Sequence, residues 1–384
     1  MDFGWSDEQQ QIRKTAREFA EREIAPFVAE YDQEERFPAE IARKAAELGF
    51  MGGVVPTEYG GSALDFVSYT IILEEISKVC HAVACALSFP SGLCGAGILQ
   101  YGTEEQKQKY LKPLAEGKIF AATAVTEPHS GTDVAAMQTL AVKDGDSYVL
   151  NGNKAWISFL DVCDFVLTFA TLDRANPRKN ICAFIIERDT PGMKLKPYKN
   201  KLGFRPLSSG DVFLEDCRVP ACNRVGAEGQ GLKVAMCAVE NGRLGVAARA
   251  LGLAQASYDA SVKYARERIV FDQPIGRFQL VQSMLTDMAA GLEGARAATY
   301  RLAWMKNQGL PGTRAQASLA KMMASDVALM AATHAVQIHG AYGCLGESPV
   351  SRYFRDAKVF QIVEGQNQLH RSVVAEYALG YRSD

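Results

Sequence analysis

A carboxylate set in an apolar run is the first candidate for chemistry. Glu364 follows Ile362 and Val363 and precedes Gly365, inside the stretch Arg355–Gln368. Read locally, such a residue is a surface charge. If it faces an apolar pocket, desolvation raises its pKa and makes it a usable general base. Two further polar clusters stand out. The run Val125–Asp133 offers hydroxyls and backbone N–H groups at a sharp turn, which suits a phosphate or a ring edge, or a capped loop. In Asn153–Ser158, Trp156 beside Ser158 suits stacking near an aromatic ligand, or a plain core position. Signatures of other chemistries are missing. Gly226-x-x-Gly229-x-Gly231 has the wrong spacing for a dinucleotide fold and no βαβ unit before it, so it reads as a flexible turn. There is no Walker A loop and no GxSxG.

The elements that must position these residues fall into three parts: helical over 1–119, β-rich over 120–228 and helical again over 229–384. Ser6 with Gln9 forms the pattern of a capping box, and Ile12, Ala16, Phe19, Ala20 and Ile24 line one helical face up to a break at Pro26. Further helices are expected over Ile41–Leu48, Ser68–Lys78 and Glu104–Leu111. Asp144-Gly145 between Leu140–Lys143 and Tyr148–Leu150 signals a hairpin, and Asn151-Gly152 a second turn. Strands are expected at Phe165–Ala170, Ile181–Glu187 and Val212–Leu214. No helix-length pattern separates them, so the sheet should be mostly antiparallel. From Leu232 on, long Ala-rich helices follow, with Val281, Met284, Leu285, Met288 and Leu292 on one face and a break at Pro311-Gly312. The fold class is α+β, mostly α.

Composition narrows the function. The chain has 384 residues, too many for one hydrophobic core, and a formal net charge of -2, which argues against nucleic acid as the main partner. Nine cysteines without CxxC spacing read as reduced thiols. No metal site is expected: His334 and His339 are five apart and do not share a helical face. No run reaches the ~18 apolar residues of a membrane span. The start, MDFGWSDEQQ, lacks the features of a leader, so a cytoplasmic protein is expected, or a mitochondrial-matrix protein if this is a mature eukaryotic form.

The pieces together resemble the acyl-CoA dehydrogenase family over essentially the whole chain. They are Tyr101–Lys107, Val125–Asp133, Trp156-Ile157-Ser158, Phe213–Pro220, Arg268-x-x-Phe271, Phe278-Gln279, Gln337–Gly343, Arg355-Asp356-Ala357 and Glu364-Gly365, in that order. The resemblance implies an N-terminal helical domain, a middle antiparallel β-barrel-like domain and a C-terminal four-helix bundle, assembled as a homotetramer. It implies FAD as cofactor, an acyl-CoA or acyl-carrier thioester as substrate and an electron-transfer flavoprotein as partner. Val125, Thr126, Trp156 and Ser158 match residues that hold the isoalloxazine, and Thr132 one that binds flavin phosphate. Arg268, Phe271, Gln279, Gln337, Gly340 and Ala341 match residues that hold the diphosphate and adenosine, partly from a neighbouring subunit. Gln366 and Gln368 fall on the cofactor side of the Glu-Gly turn. Phe89, Ser91, Arg243, Val363 and Gly365 fall on the substrate side. The implied reaction removes the α-proton of the thioester onto a base while the β-hydrogen leaves as hydride to the flavin. Hydrogen bonds to the thioester carbonyl, from a backbone N–H at the base and a ribityl hydroxyl, stabilise the enolate.

The family places its base at one of two positions. One precedes an Arg on the first long C-terminal helix, and here the residue before Arg243 is Gly242, which cannot accept a proton. The other is filled by Glu364. Glu240 is two residues away and turns to another face. The chain departs from the family pattern at Gln366, Val363, His129, Ser130, Ser158, Phe159, Asp272, Ala341 and Leu207. The departures fit drift with the cofactor retained, a cyclic, aryl, branched or carrier-bound acyl group, or altered activity. An enoyl-CoA reductase would use the same residues in reverse. A flavin monooxygenase on this scaffold would typically lack Glu364, and a nucleic-acid-binding relative would need a basic stripe.

Overall fold

The computed structural model describes residues 4–383; Met1–Phe3, part of the stretch read for a leader, and Asp384 lie outside them. The first part is helical. Helix α1 (Asp7–Phe19) carries the expected capping box, with the Ser6 and Gln9 side chains each bonded to the other's backbone N–H. A π-helical turn, Ala20–Ile24, carries the chain to Ala25, and the helix stops at the Pro26 break. Short helices α2 (Val28–Glu34) and α3 (Ala39–Glu47) follow. The buried pair α4 (Phe66–Ser77) and α5 (His81–Ser88) comes next. Helix α6 (Gly95–Tyr101), α7 (Glu104–Gln106), a π turn and α8 (Lys112–Ala115) complete this part.

The middle part is one eight-stranded sheet. Its strands are β1 (Ala121–Ala124), β2 (Leu140–Asp144), β3 (Ser147–Ser158), β4 (Phe165–Thr171), β5 (Ile181–Glu187), β6 (Met193–Pro197), β7 (Ser209–Pro220) and β8 (Arg224–Val225). The order is β6-β7-β3-β2-β4-β5-β8, with β1 beside β4. A short helix α9 (Pro177–Asn180) joins β4 to β5. Pairing is mostly antiparallel as expected; the β1–β4 pair and one β2–β4 bridge are parallel. The Asp144-Gly145 hairpin forms, but Asn151-Gly152 is not a turn. It lies inside β3, where the register against β7 shifts between Leu150 and Gly152. A Cβ on Gly152 would sit 2.6 Å from the Thr139 hydroxyl, so this glycine admits a neighbouring strand instead of reversing the chain.

The last part holds α10 (Gly231–Glu267), α11 (Gln279–Asn307), α12 (Thr313–His339), α13 (Pro349–Phe360) and α14 (Asn367–Ala378). Helix α10 is one unbroken rod of 37 residues. Between α10 and α11 sits a hairpin of β9 (Ile269–Val270) and β10 (Gln273–Pro274). Its turn residues Phe271 and Asp272 both have positive φ, the geometry of a two-residue primed turn made without glycine. The break at Pro311-Gly312 separates α11 from α12. No described helix is long and apolar enough to cross a membrane. All nine cysteines are free.

One joint ties the three parts together. The buried Asp356 on α13 accepts a hydrogen bond from the Phe204 backbone N–H at 2.7 Å, and its other oxygen lies 3.5 Å from His81 Nδ1 on α5. The His81 ring stacks on Phe204 at 3.7 Å, and Arg355 pairs with Asp32. Burial opposes the charge on Asp356, yet His81 and Arg352 hold its carboxyl below the ordinary range. Removing this carboxylate leaves the Phe204 N–H and the buried His81 ring without their acceptor. Asp356→Ala is therefore expected to lower unfolding free energy by about 3–5 kcal/mol. Urea unfolding measures this, and a loss below about 1 kcal/mol would contradict the joint's role.

Candidate active site

Glu364 sits in the turn between α13 and α14 with φ 53°, a left-handed conformation unusual for a non-glycine residue. This backbone turn sends its side chain inward against α10. The carboxylate occupies the space that Gly242 leaves open: a Cβ built on Gly242 would lie 2.1 Å from Glu364 Oε2. The sequence argument treats Gly242 as an empty base position, and the structure puts the carboxylate of Glu364 against that same position. Glu240 points elsewhere and pairs with Arg314 at 2.5 Å.

The Glu364 side chain is 9% exposed, and its Oε2 is buried with no hydrogen-bond partner. Its oxygen Oε1 lies 3.9 Å from Arg249 Nη2, beyond hydrogen-bond range. Burial pushes the Glu364 carboxyl up to about 7, against the pull of Arg249, Arg243 and Lys321. Lys321 is fully buried and donates to the Gly365 carbonyl at 2.8 Å and to Asn367 Oδ1 at 3.0 Å. It fastens the Glu364 turn to α12, while burial brings its own pKa down to about 7. His370 sits behind Gly365; burial, with Arg243 and Lys321 nearby, holds it down to about 3 and therefore neutral. Arg243 donates to Ser318 Oγ at 3.4 Å. Val363 is half-buried beside the base.

The N-terminal part supplies the facing wall. Gly92 comes close to Gly242, with a Cβ on Gly92 falling 3.5 Å from the Gly242 Cα. Phe89 is buried edge-on against Phe159 at 4.6 Å. Ser91 is also buried, but its hydroxyl accepts from the Val54 N–H at 3.3 Å and so braces a loop.

The Val125–Asp133 run turns at the sheet edge. Glu127 is buried and accepts from the Thr139 N–H at 2.9 Å and the Gln138 N–H at 2.7 Å. The fully buried Lys154 donates to Glu127 at 2.7 Å and to the Val125 carbonyl at 3.3 Å; burial draws its pKa down to about 8 against Glu127. This pair holds Val125 and Thr126 beside β3, where the Thr126 carbonyl accepts from the Ala155 N–H. Trp156 follows at φ 60°, in a second register shift of β3, and is 65% exposed with its ring edge on Tyr198 at 4.9 Å. The bulge turns an aromatic ring out of the sheet. Ser158 is half-buried and Thr132 exposed. Gln366 and Gln368 line a cavity of about 460 Å³ with Asp326, Lys358 and Arg371.

Arg268, Phe271, Gln279, Gln337, Gly340 and Ala341 lie apart, on the surface; Phe271 is 84% exposed. Arg268 follows Gly242 by 26 positions along α10, roughly 39 Å at helical rise. A single chain therefore brings together Glu364, Gly242, Arg243, Val363 and Gly365 but not this second group. Tyr69, Lys154, Arg249 and Lys321 have no role in the sequence reading. Arg249 was accessible to it: Gly242, Gly245 and Arg249 follow i, i+3, i+7 on one face of α10.

Comparison with known proteins fits this geometry. Models of the acyl-CoA dehydrogenase N-terminal, middle and C-terminal domains match residues 6–118, 122–217 and 229–379. A short-chain-specific acyl-CoA dehydrogenase of Clostridium acetobutylicum is 43% identical, covering 98% of this chain and 99% of that one. Butyryl-CoA dehydrogenase from Megasphaera elsdenii superposes with a TM-score of 0.94 at 40% identity, over 99% of this chain and 100% of that one. A chain solved in work on the electron-transferring flavoprotein of Acidaminococcus fermentans and flavin-based electron bifurcation superposes at 0.95 with 44% identity, over 99% and 100%. The chain belongs to the acyl-CoA dehydrogenase family and is an oxidoreductase.

Gly242→Ala tests the seating of the carboxylate. The methyl group meets the mobile end of a side chain, and alanine favours a helix by about 1 kcal/mol over glycine. The melting temperature is expected to hold or rise while kcat falls by about 100-fold, because the carboxylate is pushed aside. Unchanged kcat would show that its position over Gly242 is irrelevant.

Proposed function

We propose that this chain forms the α,β-double bond of a short acyl-CoA thioester, with Glu364 as the base that takes the α-proton. The observation that carries the reading is the buried, unpartnered Oε2 of Glu364 above Gly242. A carboxyl raised to about 7 accepts a proton from a weak carbon acid more readily than an ordinary glutamate. Short acyl groups are supported by the names of the relatives in Clostridium and Megasphaera.

The residues present fit FAD. An exposed indole raised on a bulge, a turn fixed by a buried ion pair, and a polar cavity beside the base turn form the parts of a cradle. Val125, Thr126, Trp156 and Ser158 would hold its ring, Thr132 a phosphate, and Gln366 and Gln368 its far side. Bound there, FAD supplies an acceptor for the β-hydrogen and its electron pair. The chain's own part is to bind and orient the thioester, to exclude water through the walls around Gly92 and Phe89, and to hold the proton on Glu364. Arg268 stands at the far end of α10, too far to serve that same site, and Phe271, Gln279, Gln337, Gly340 and Ala341 lie in the hairpin turn, at the start of α11 and at the end of α12, on the side where Tyr264 of α10 stacks on His339. We infer that they complete the cofactor site of a second copy, which makes the working form a homo-oligomer, a tetramer by family resemblance. Electrons then leave to an electron-transfer flavoprotein, a reading supported by the Acidaminococcus neighbour.

Anaerobic bleaching of the flavin by acyl-CoA thioesters tests the reading. Glu364→Gln is expected to retain FAD and lose at least about 1000-fold in the rate of bleaching; a full rate in that variant removes Glu364 as base. The base acts only when ionised. Below about pH 7 it is protonated, so kcat/KM of the wild type should fall about tenfold per pH unit there and level off above. A profile flat from pH 5 to 8 contradicts the assignment.

A further inference from the structure

Beside Glu364, helices α10 and α4 bury polar groups that a plain hydrocarbon tail would not need. Arg249 on α10 is 3% exposed, and its Nε donates only to the carbonyl of Gly245 on its own helix, at 3.2 Å. Its guanidinium also stands near Cys85, where it opposes the upward push of burial on the thiol. Tyr69 on α4 is 2% exposed, and its buried hydroxyl has no well-formed hydrogen bond, with Ser88 as its polar neighbour. Both groups meet at Gly245: a Cβ there would touch the Tyr69 hydroxyl at 3.6 Å and the Ser88 Cβ at 3.4 Å. Ser88 turns its own hydroxyl to the Cys85 carbonyl at 2.7 Å. Unsatisfied buried donors are rare and ask for an explanation.

Charge sharpens the point. Among the described residues, the one carboxylate within 4 Å of Arg249 is Glu364. Arg243 and Lys321 act on that same carboxylate, and Lys321 also feels Asp326. When Glu364 takes a proton from substrate it becomes neutral, and Arg249 loses its counter-charge inside a dry pocket. A buried guanidinium without an anion is costly. A neutral alkyl group does not restore the balance, whereas an acyl group that carries its own carboxylate does.

We infer that Arg249, with the Tyr69 hydroxyl, forms an anion subsite that selects a dicarboxylic acyl thioester, whose free carboxylate lies two or three bonds from the α-carbon. The length follows from the geometry. Arg249 Nη2 is 3.9 Å from the base oxygen, so a carboxylate bound to it lies close to the carbon that the base must reach. A four- or five-carbon diacid bound as its monothioester spans that gap. The redox step is the one already proposed: the α-proton goes to Glu364, the β-hydrogen leaves with its electron pair to FAD, and the carboxylate stays ionised and attached.

This inference rests on the dehydrogenase reading, and one experiment separates the two. The holoenzyme is mixed anaerobically with succinyl-CoA, glutaryl-CoA and butyryl-CoA, and kcat/KM is taken for each. One diacid thioester is expected to exceed butyryl-CoA by tenfold or more. Arg249→Gln should lower the diacid-to-butyryl ratio by roughly 10- to 100-fold, and Tyr69→Phe by a few-fold, the scale of a lost charged and a lost neutral hydrogen bond. Should Arg249→Gln not fold, Glu364→Gln holoenzyme titrated calorimetrically with glutaryl-CoA and butyryl-CoA gives the same preference without turnover. Preference for butyryl-CoA, or an unchanged ratio in Arg249→Gln, overturns the subsite alone. Bleaching by none of the three overturns the dehydrogenase reading and the subsite with it.

Discussion

An ionisable oxygen enclosed without a partner is the constraint around which this molecule is arranged. Glu364 Oε2 has no hydrogen bond, and keeping a carboxyl there requires three separate arrangements. A left-handed turn aims the side chain, a missing side chain at Gly242 makes room for it, and buried cations on α10 and α12 keep ionisation within reach near neutrality. They come from α10, α12 and the turn before α14, stretches far apart in the sequence. The setting of this carboxylate is thus a product of tertiary structure, and its local sequence is that of an ordinary surface residue.

The same logic governs the sheet edge. Lys154 is completely buried, and its partner Glu127 stands on the turn that meets β3. Two register shifts in β3 then do different work. The first, at Gly152, lets β2 approach; the second presents Trp156 outward. A buried ion pair is a poor source of stability but a good way of fixing one geometry over its alternatives. Here it fixes the path of the residues around Val125 and Thr126.

Helices and strands were legible where hydrophobic period and breakers agreed: the capping box at Ser6, the Asp144-Gly145 hairpin and the Pro311-Gly312 break all form. Asn151-Gly152 misled because the dipeptide that favours a turn also suits a bulge, and only the β7 partner decides between them. Family resemblance singled out Glu364 over the Gly242 position, and the structure sets that carboxylate against Gly242. The burial of Tyr69 and Lys321 was not legible, since burial of a polar group depends on which helices cross it, and for Arg249 only its shared face with Gly242 was. Arg249 sits among alanines in a sequence that says nothing of the packing that buries it.

The joint at Asp356 bears on how such chains tolerate change. Its partner in the middle part is a backbone N–H, that of Phe204, 152 positions earlier. Any residue but proline offers such a group, so this bond holds the loop's path without specifying side chains, whereas the Phe204 ring is specified separately by its stacking on His81. The neighbouring Gly203 shows how narrowly: a Cβ there would press to 2.3 Å from the Arg355 carbonyl. Recombination between relatives at this seam would therefore succeed or fail on the course of the main chain, and similarity of side chains would be a poor guide to which exchanges survive.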